Sequence, residues 1–202
     1  MFLRHHRASI ALATVMLACS IGVAAQSYPA KPVRIIEPYP PGGVLDSLVR
    51  AVAQKLGDNL GQPFVVDNRP GANSIIGMDA CAKATADGYT ICMTTNDSVS
   101  LNPFLYEKMP FDAAKDLAPV QRLAWVDGVI VAPPSFPAKS FRDALALAKQ
   151  KPGAFTWGSF GAGSSSHLYL AWLNNETGSG IVHVPYKGAA PLLQAEIGRA
   201  HV

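Results

Sequence analysis

Apolar and polar positions follow two periods along the chain, one typical of strands and one of helices. Short, mainly apolar segments at Val33–Ile36, where Arg34 is the one charged residue, and at Phe64–Val66 are typical of buried strands in a parallel sheet. Between them, apolar residues at i, i+3, i+4, i+7 and i+11 predict a helix: Leu45, Leu48, Val49, Val52 and Leu56. Gly57 follows and predicts its end. A loop over 68–73, a helix over 74–84 and a strand over 89–94 complete a predicted βαβαβ unit with helices on both faces of its sheet.

A second α/β series follows a looser stretch over residues 96–119. Residues 120–132 are apolar enough for one or two strands, and Ser140 with Asp143 predicts the capping box of a helix. Further predicted elements are a strand over 155–157, a turn over 158–163, a helix over 164–174, a strand over 181–184 and a helix over 190–197. We therefore expect two α/β lobes, residues 26–118 and 119–202.

Residues 1–25 differ in composition from the rest of the chain. A basic start leads into an uncharged stretch that ends in the small residues Val23, Ala24 and Ala25. This pattern is typical of a secretory signal peptide, with a predicted cut before Gln26. A membrane anchor is the alternative, because the uncharged stretch approaches the roughly 20 residues that span a bilayer. Its Ala, Ser, Thr and Gly content and its cleavable ending favour export, and no stable membrane insertion is expected after cleavage.

The charge content excludes two classes of protein. Charged residues make up 15% of the chain and hydrophobic residues 49%, so an intrinsically disordered chain is excluded. The net charge is only +3, and no basic run occurs after the first seven residues. Nucleic-acid binding through bulk positive charge is therefore excluded as well.

Two cysteines remain after the predicted signal peptide, Cys81 and Cys92. An oxidising compartment permits a disulfide between them. Both occur in apolar segments, where a free cysteine behaves as a small hydrophobic residue, and this is the interpretation we favour. No CxxC pair or Cys/His cluster is present, so the sequence predicts no metal site. It contains neither GxGxxG nor GxxxxGK[ST], and no cofactor is expected.

Two glycine-containing turns each connect a predicted strand to a predicted helix. They are Pro40–Gly43, before Leu45, and Gly161–Ser166, before Leu168. Helix N-termini expose unpaired N–H groups and carry partial positive charge, so they bind anions such as carboxylates. Ligands of doubly wound sheets collect at the carboxyl ends of strands, where both turns belong. The alternative is that both turns only connect elements.

Other polar residues allow weaker interpretations. An exported hydrolase would use Ser165 or Ser166 as nucleophile with His167 or His183 as base, but no GxSxG elbow is present. His183 lies in an apolar strand, where a role in the core is expected. Arg69 could pair with an anion or brace its own loop.

Several motifs together resemble the solute-receptor family of tripartite tricarboxylate transporters, often called Bug receptors. In chain order they are Tyr39–Gly43 with Asp46, Asn68–Ala72, Asp87–Thr90, Asn102-Pro103, Pro137–Ser140, Ser165–Leu168 and His183–Gly188. The resemblance implies a type II periplasmic-binding-protein fold, without catalytic activity, in which two lobes close on a small carboxylate. It implies a monomer in the periplasm that serves two membrane subunits of a transporter.

The resemblance also implies ligand-binding residues. From the two turns these are Gly42, Gly43, Asp46, Ser164, Ser165 and Ser166, and further expected cleft residues are Thr95, Ser98 and Tyr186. Family ligands are dicarboxylates and tricarboxylates, acidic amino acids and aromatic acids. A ligand sensor that feeds a signalling kinase shares the same fold and is an alternative to the transport receptor.

This chain departs from the family pattern in two ways. Val44 and Leu45 stand where the family has glycine and threonine, which removes a hydroxyl suited to capping the helix. Family members are also about half as long again and return to the first lobe to finish its sheet. We therefore expect a C-terminally shortened chain whose first lobe is incomplete, with uncovered apolar faces that favour aggregation.

Overall fold

The structure, a computed structural model, describes residues 27–199, and of residues 197–199 the backbone only. The predicted signal peptide and its predicted cleavage site lie outside the described residues. Residues from Lys31 onward form one unit. Within the described part of the chain, no helix combines the length and apolar character needed to cross a membrane.

The first half forms the predicted βαβαβ unit. Its elements are β1 (Val33–Glu37), α1 (Val44–Leu60), β2 (Phe64–Asn68), α2 (Ile75–Ala82) and β3 (Thr90–Cys92). The three strands are parallel in the order β2-β1-β3, with Ile35 opposite Val66 on one side and Ile91 on the other. The mixed α/β class with parallel sheets is thus confirmed.

The end of α1 differs from the sequence prediction. The helix continues past Gly57 to Leu60, and Gly61 ends it with a left-handed φ of +71°. The Gly61 N–H donates to the Gly57 carbonyl at 2.9 Å. An interior glycine destabilises a helix by only about 1 kcal/mol, whereas the left-handed cap favours glycine strongly. Gly57 is therefore tolerated inside the helix.

Helices cover both sides of this sheet. Ile35 packs against Val49 and Ala53 of α1, joined by half-buried apolar residues of the other two strands. A second cluster joins Ile75 and Met78 of α2 to Phe111. Burial of these side chains fixes the sheet register, because a shift of one residue would turn the apolar residues of β1 to the other face.

Short helical segments follow β3, namely a π-helical turn (Asp97–Leu101), α3 (Asn102–Leu105) and α4 (Ala113–Asp116). The strands predicted over residues 120–132 do not form, and this prediction is wrong. A strand needs a neighbour for its N–H and C=O groups, and no described strand pairs with this segment. Its side chains are exposed, Val120 at 89% and Trp125 at 78%. We call residues 120–132 the unpaired segment.

The second half repeats the strand and helix alternation on a smaller scale. Its elements are α5 (Phe141–Gln150), β4 (Thr156–Ser159), α6 (Ser165–Thr177), β5 (Val182–Pro185) and α7 (Ala189–Arg199). β4 and β5 are parallel. The predicted capping box is confirmed, since the Asp143 N–H donates to Ser140 Oγ and Ser140 Oγ donates to Asp143 Oδ2.

Cys81 and Cys92 form a disulfide between the end of α2 and the end of β3, with Cα atoms 6.2 Å apart. The expectation of two free, packed thiols is therefore wrong. The apolar pattern around each cysteine predicted its element correctly, but the pairing depends on the position of α2 against β3, which sequence spacing does not give.

Candidate functional site

The first turn lies at the carboxyl end of β1. Gly42 has a φ of +85°, a conformation that favours glycine, and the turn leads directly into α1. Gly43 is the N-cap residue, and α1 has no side-chain cap. The N-terminus of α1 therefore presents main-chain N–H groups and partial positive charge without a capping side chain.

The Asp46 carboxylate accepts hydrogen bonds that hold this turn in place. One carboxylate oxygen accepts from the Gly42 N–H at 3.0 Å and from Arg50 Nε at 2.9 Å. The other accepts from Asn68 Nδ2 at 3.0 Å and pairs with Arg50 Nη2 at 2.9 Å. The Arg50 hydrogen bond holds the pKa of Asp46 well below its usual range, assisted by Gly42 and Asn68. Asp46 was expected as a ligand-binding residue, and in this structure its carboxylate holds Gly42 in place.

Glu37 lies close to the first turn, and the sequence did not identify it as a site residue. It ends β1, is fully buried, and accepts a hydrogen bond from Asn68 Nδ2. Its Oε1 has no partner in the described residues. Burial, reinforced by the charge of Asp46, raises the pKa of Glu37 to about 8. An acidic residue that closes an apolar strand is the sequence signal that could have identified it.

The second turn lies between β4 and α6. Gly161 and Gly163 have φ of +132° and +82°, and the N-cap residue Ser164 does not cap α6 with its hydroxyl. Instead, Ser164 Oγ donates back to the Gly161 carbonyl at 2.7 Å and lies 3.0 Å from Ser166 Oγ. Ser166 Oγ accepts from the Phe160 N–H at 3.2 Å. The serine hydroxyls thus fix the turn, and Ser164 does not cap α6 with its own side chain.

Two histidines stack behind the second turn. The ring centroids of His167 and His183 are 4.0 Å apart, and the two ring planes are inclined by 13°. His167 Nδ1 accepts from the Gly163 N–H, and His183 Nε2 lies 2.6 Å from Ser159 Oγ. Burial, and then the neighbouring His167, lowers the pKa of His183. Among the described contacts neither histidine bonds Ser165 or Ser166, so the nucleophile–base pair of a hydrolase does not form here.

Residues of the first half reach the second turn directly. Asn73 Nδ2 donates to the Gly163 carbonyl at 3.0 Å, and Asp97 Oδ2 accepts from the Ser165 N–H at 3.1 Å. A Cβ at Gly163 would lie 3.3 Å from Asn73 Nδ2 and 3.5 Å from the Tyr106 hydroxyl, and the φ of +82° favours glycine at this position. Asn73 and Asp97 were not predicted, because contacts across 90 and 68 residues leave no local pattern.

The expected cleft residues Thr95 and Ser98 belong to a buried hydroxyl network. Thr95 Oγ1 lies 2.6 Å from the Tyr39 hydroxyl, and Ser98 Oγ lies 2.6 Å from Ser74 Oγ. Ser98 is fully buried. Tyr39 directly precedes the first turn, so this network connects that turn to the π-helical turn that carries Asp97.

A third turn, after β5, reaches both of the others. The Tyr186 N–H donates to the Ser159 carbonyl at 3.0 Å, which sets Tyr186 beside the second turn. Gly188 approaches Pro40, where a side chain would contact the proline ring at 3.4 Å. Ala190 at the start of α7 lies against Gly42. The three turns therefore converge.

Neither Arg69 nor a cluster of metal ligands forms a second site in the described residues. Arg69 Nε donates to Asp67 Oδ2 at 2.8 Å, which is the loop-bracing arrangement rather than an arginine free to bind an anion. Within residues 27–199 no group of three or more His, Cys, Asp or Glu side chains could hold a metal ion.

Comparison with known proteins supplies independent matches. Residues 48–202 match the tripartite tricarboxylate transporter family receptor. One relative, protein BugT of Bordetella pertussis strain Tohama I, is 37% identical over 177 residues. That match covers 87% of this chain and 54% of the relative. The chain thus spans less than two thirds of the relative's length.

Two solved structures match in fold. One, a periplasmic transporter, has a TM-score of 0.80 and 39% identity, covering 85% of this chain and 58% of that chain. The other is Rpa4515 of R. palustris with adipate, with a TM-score of 0.74 and 34% identity over the same shares of the two chains. The predicted periplasmic-binding-protein fold is confirmed by these matches.

Proposed function

We propose that this chain, which belongs to the tripartite tricarboxylate transporter receptor family, is a periplasmic receptor for a small carboxylate. The receptor delivers its ligand to two membrane subunits of a secondary transporter and performs no catalysis. The ligand classes are di- or tricarboxylates, acidic amino acids and aromatic acids. Export through the predicted signal peptide, with cleavage before Gln26, delivers it to the periplasm.

One observation carries this proposal: α1 begins without a side-chain cap, at a turn that converges with the turn before α6. The start of α1 offers main-chain N–H groups and the positive end of a helix dipole, whereas the Ser165 N–H at the start of α6 is bonded to Asp97. A ligand carboxylate held at the start of α1 lies where the turns of both lobes meet, so that ligand binding favours the closed arrangement. Gly42, Gly43 and Ser164–Ser166 act through their backbone, and Thr95, Ser98 and Tyr186 support the cleft.

The adipate bound by the related Rpa4515 supports the chemical class of the ligand. Adipate is a dicarboxylate, so a related protein binds an acid of the proposed chemical class. Binding through main-chain groups leaves the identity of the acid to the shape and charge of the surrounding side chains.

Thermal melting against a panel of carboxylates and amino acids tests the receptor function. A ligand present at a thousandfold its dissociation constant stabilises the folded state by about 4 kcal/mol, which is readily seen as a higher Tm. We expect a saturable shift with one class of acid. A cooperative melt that no acid shifts would contradict the proposal.

The substitution Gly43→Asp tests the first turn. Gly43 has extended φ and ψ and no close contact at its Cβ position, so an aspartate fits and can cap α1. We expect Gly43→Asp to stabilise the protein by only about 0.3 kcal/mol, because aspartate is a slightly better N-cap than glycine. The same carboxylate occupies the anion position, so ligand affinity falls at least about tenfold.

Gly43→Ala is the matched control, since it adds the Cβ without the carboxylate. We expect it to retain ligand affinity. Titration calorimetry of both variants distinguishes the two effects. If Gly43→Asp binds the ligand as tightly as Gly43→Ala, the N-terminus of α1 is not the anion site.

A further inference from the structure

Asp97 places one of the protein's own carboxylates at the start of α6. It begins the π-helical turn, is more than nine-tenths buried, and accepts from the Ser165 N–H with Oδ2 at 3.1 Å. Its Oδ1 is buried and has no partner in the described residues. No ion pair to Asp97 occurs within that part of the chain either. The aspartate therefore combines an unpaired buried oxygen with an uncompensated charge.

Hydroxyl groups occur close to Asp97 in the described part of the chain. Thr95 and Ser98, on either side of it, bond Tyr39 and Ser74 rather than the aspartate. A buried carboxylate with a free oxygen is destabilising unless a donor or a positive charge satisfies it. The α6 dipole offsets part of its charge, and Oδ1 still lacks a donor among the described residues.

Asp97 changes which charged ligand groups can bind at the second turn. A ligand carboxylate brought to the start of α6 would meet the negative charge of Asp97, which repels it. An ammonium group at the same place would donate to Oδ1 and neutralise the charge. At the start of α1 the Asp46 carboxylate is engaged by Gly42, Asn68 and Arg50. The Oε1 of Glu37 also lacks a partner in the described residues, but burial raises the pKa of Glu37 to about 8, so it adds no full negative charge near pH 7.

We propose that Asp97 is the specificity-determining residue of the cleft, and that it selects ligands carrying an ammonium group beside a carboxylate over simple carboxylates. The ligand carboxylate binds at the N-terminus of α1, and its ammonium group binds Asp97 Oδ1. This inference rests on the receptor function proposed above and narrows its ligand class to amino-acid-like zwitterions.

Matched ligand pairs that differ only in the ammonium group test the proposal. Suitable probes are aspartate with succinate, glutamate with glutarate, and alanine with propionate. In titration calorimetry, we expect the purified protein to bind the amino member of a pair about ten- to a hundredfold more tightly. Equal binding of the two members, or tighter binding of the simple acid, overturns the proposal without any variant.

The Asp97→Asn variant then tests the residue itself. Asparagine has the same shape and still accepts from the Ser165 N–H, but it has no charge for an ammonium group. We expect Asp97→Asn to lose the preference or to reverse it toward the simple acid. Asp97→Ser is a second, smaller replacement, and Asp58→Asn, at an exposed position on α1, is the control that keeps the wild-type preference.

The outcomes separate this inference from the receptor function. If acids bind and Asp97→Asn keeps the wild-type preference, Asp97 is not the selector, although the receptor function stands. If neither member of any pair binds the protein or its variants, the receptor function fails and the selectivity with it.

Discussion

Glu37 shows how a single buried side chain becomes sensitive to pH. The fold removes its carboxyl group from water at the end of β1 and places the Asp46 carboxylate nearby, while Arg50 bonds Asp46 and Asn68. Burial and the neighbouring negative charge both favour the protonated form. Glu37 therefore retains its proton in the folded protein well above the pH at which the unfolded chain loses it.

We predict that Glu37→Gln stabilises the protein increasingly as the pH rises from about 5 to about 8. The usual pKa of 4.5 applies to the unfolded chain and the raised pKa of about 8 to the folded protein. In this window only the folded state holds the proton, so wild-type stability falls as pH rises. The glutamine variant has no proton to lose, and its Tm advantage should widen toward pH 8.

Thermal melts at several pH values measure this difference. Glu176→Gln, at an exposed glutamate on α6, is the control and should follow the wild-type pH profile. A constant Tm difference between Glu37→Gln and wild type across the window would show that Glu37 titrates normally in the folded protein.

At the scale of elements, the α2–β3 connection depends on the disulfide between Cys81 and Cys92. The bridge closes a short loop, with a sequence separation of 11, across a turn that carries few buried apolar side chains. Cross-linking restricts the unfolded chain and so favours the folded state. An exported protein meets conditions in which such a bond persists.

We predict that reduction destabilises the protein by about 2 to 3 kcal/mol, the magnitude expected for a loop of this length. Denaturant unfolding with and without a reducing agent measures the loss. The double variant Cys81→Ser/Cys92→Ser should match the reduced wild type and respond to no reductant. A reductant that lowers the stability of the double variant equally would assign the effect to something other than this bond.

At the scale of the whole molecule, the unpaired segment is the feature least compatible with a monomer. Residues 120–132 are exposed throughout, although this stretch includes Val120, Trp125 and Val129. Extended apolar backbone without strand partners is a template for pairing with another chain. The monomer implied by the family resemblance requires this segment to be covered.

We predict concentration-dependent self-association of this chain through the unpaired segment. Sedimentation velocity at increasing protein concentration should show it, and Val129→Lys should weaken it because a buried lysine opposes strand pairing. Phe104→Lys is the control, as Phe104 is 89% exposed but lies outside the segment. A chain that sediments as a monomer at every concentration contradicts the prediction.

The sequence by itself determined the local elements of this protein and the two turns. Hydrophobic periodicity, the Ser140 cap and the glycines at positions 42, 161 and 163 act over a few residues, so their consequences can be read from neighbouring positions. The motif series also indicated the family, since several short patterns in one order are specific even when each is weak.

Tertiary structure alone decided which side chains meet. The Asp97–Ser165 and Asn73–Gly163 contacts, the burial of Glu37 and the disulfide join residues distant in sequence, for which no periodic pattern exists. The unpaired segment shows that local sequence can also predict too much structure. Its apolar run predicted strands, but no neighbouring strand in the described residues pairs with them. Strand pairing and burial are cooperative properties of the assembled chain, and local sequence supplies only the propensity for them.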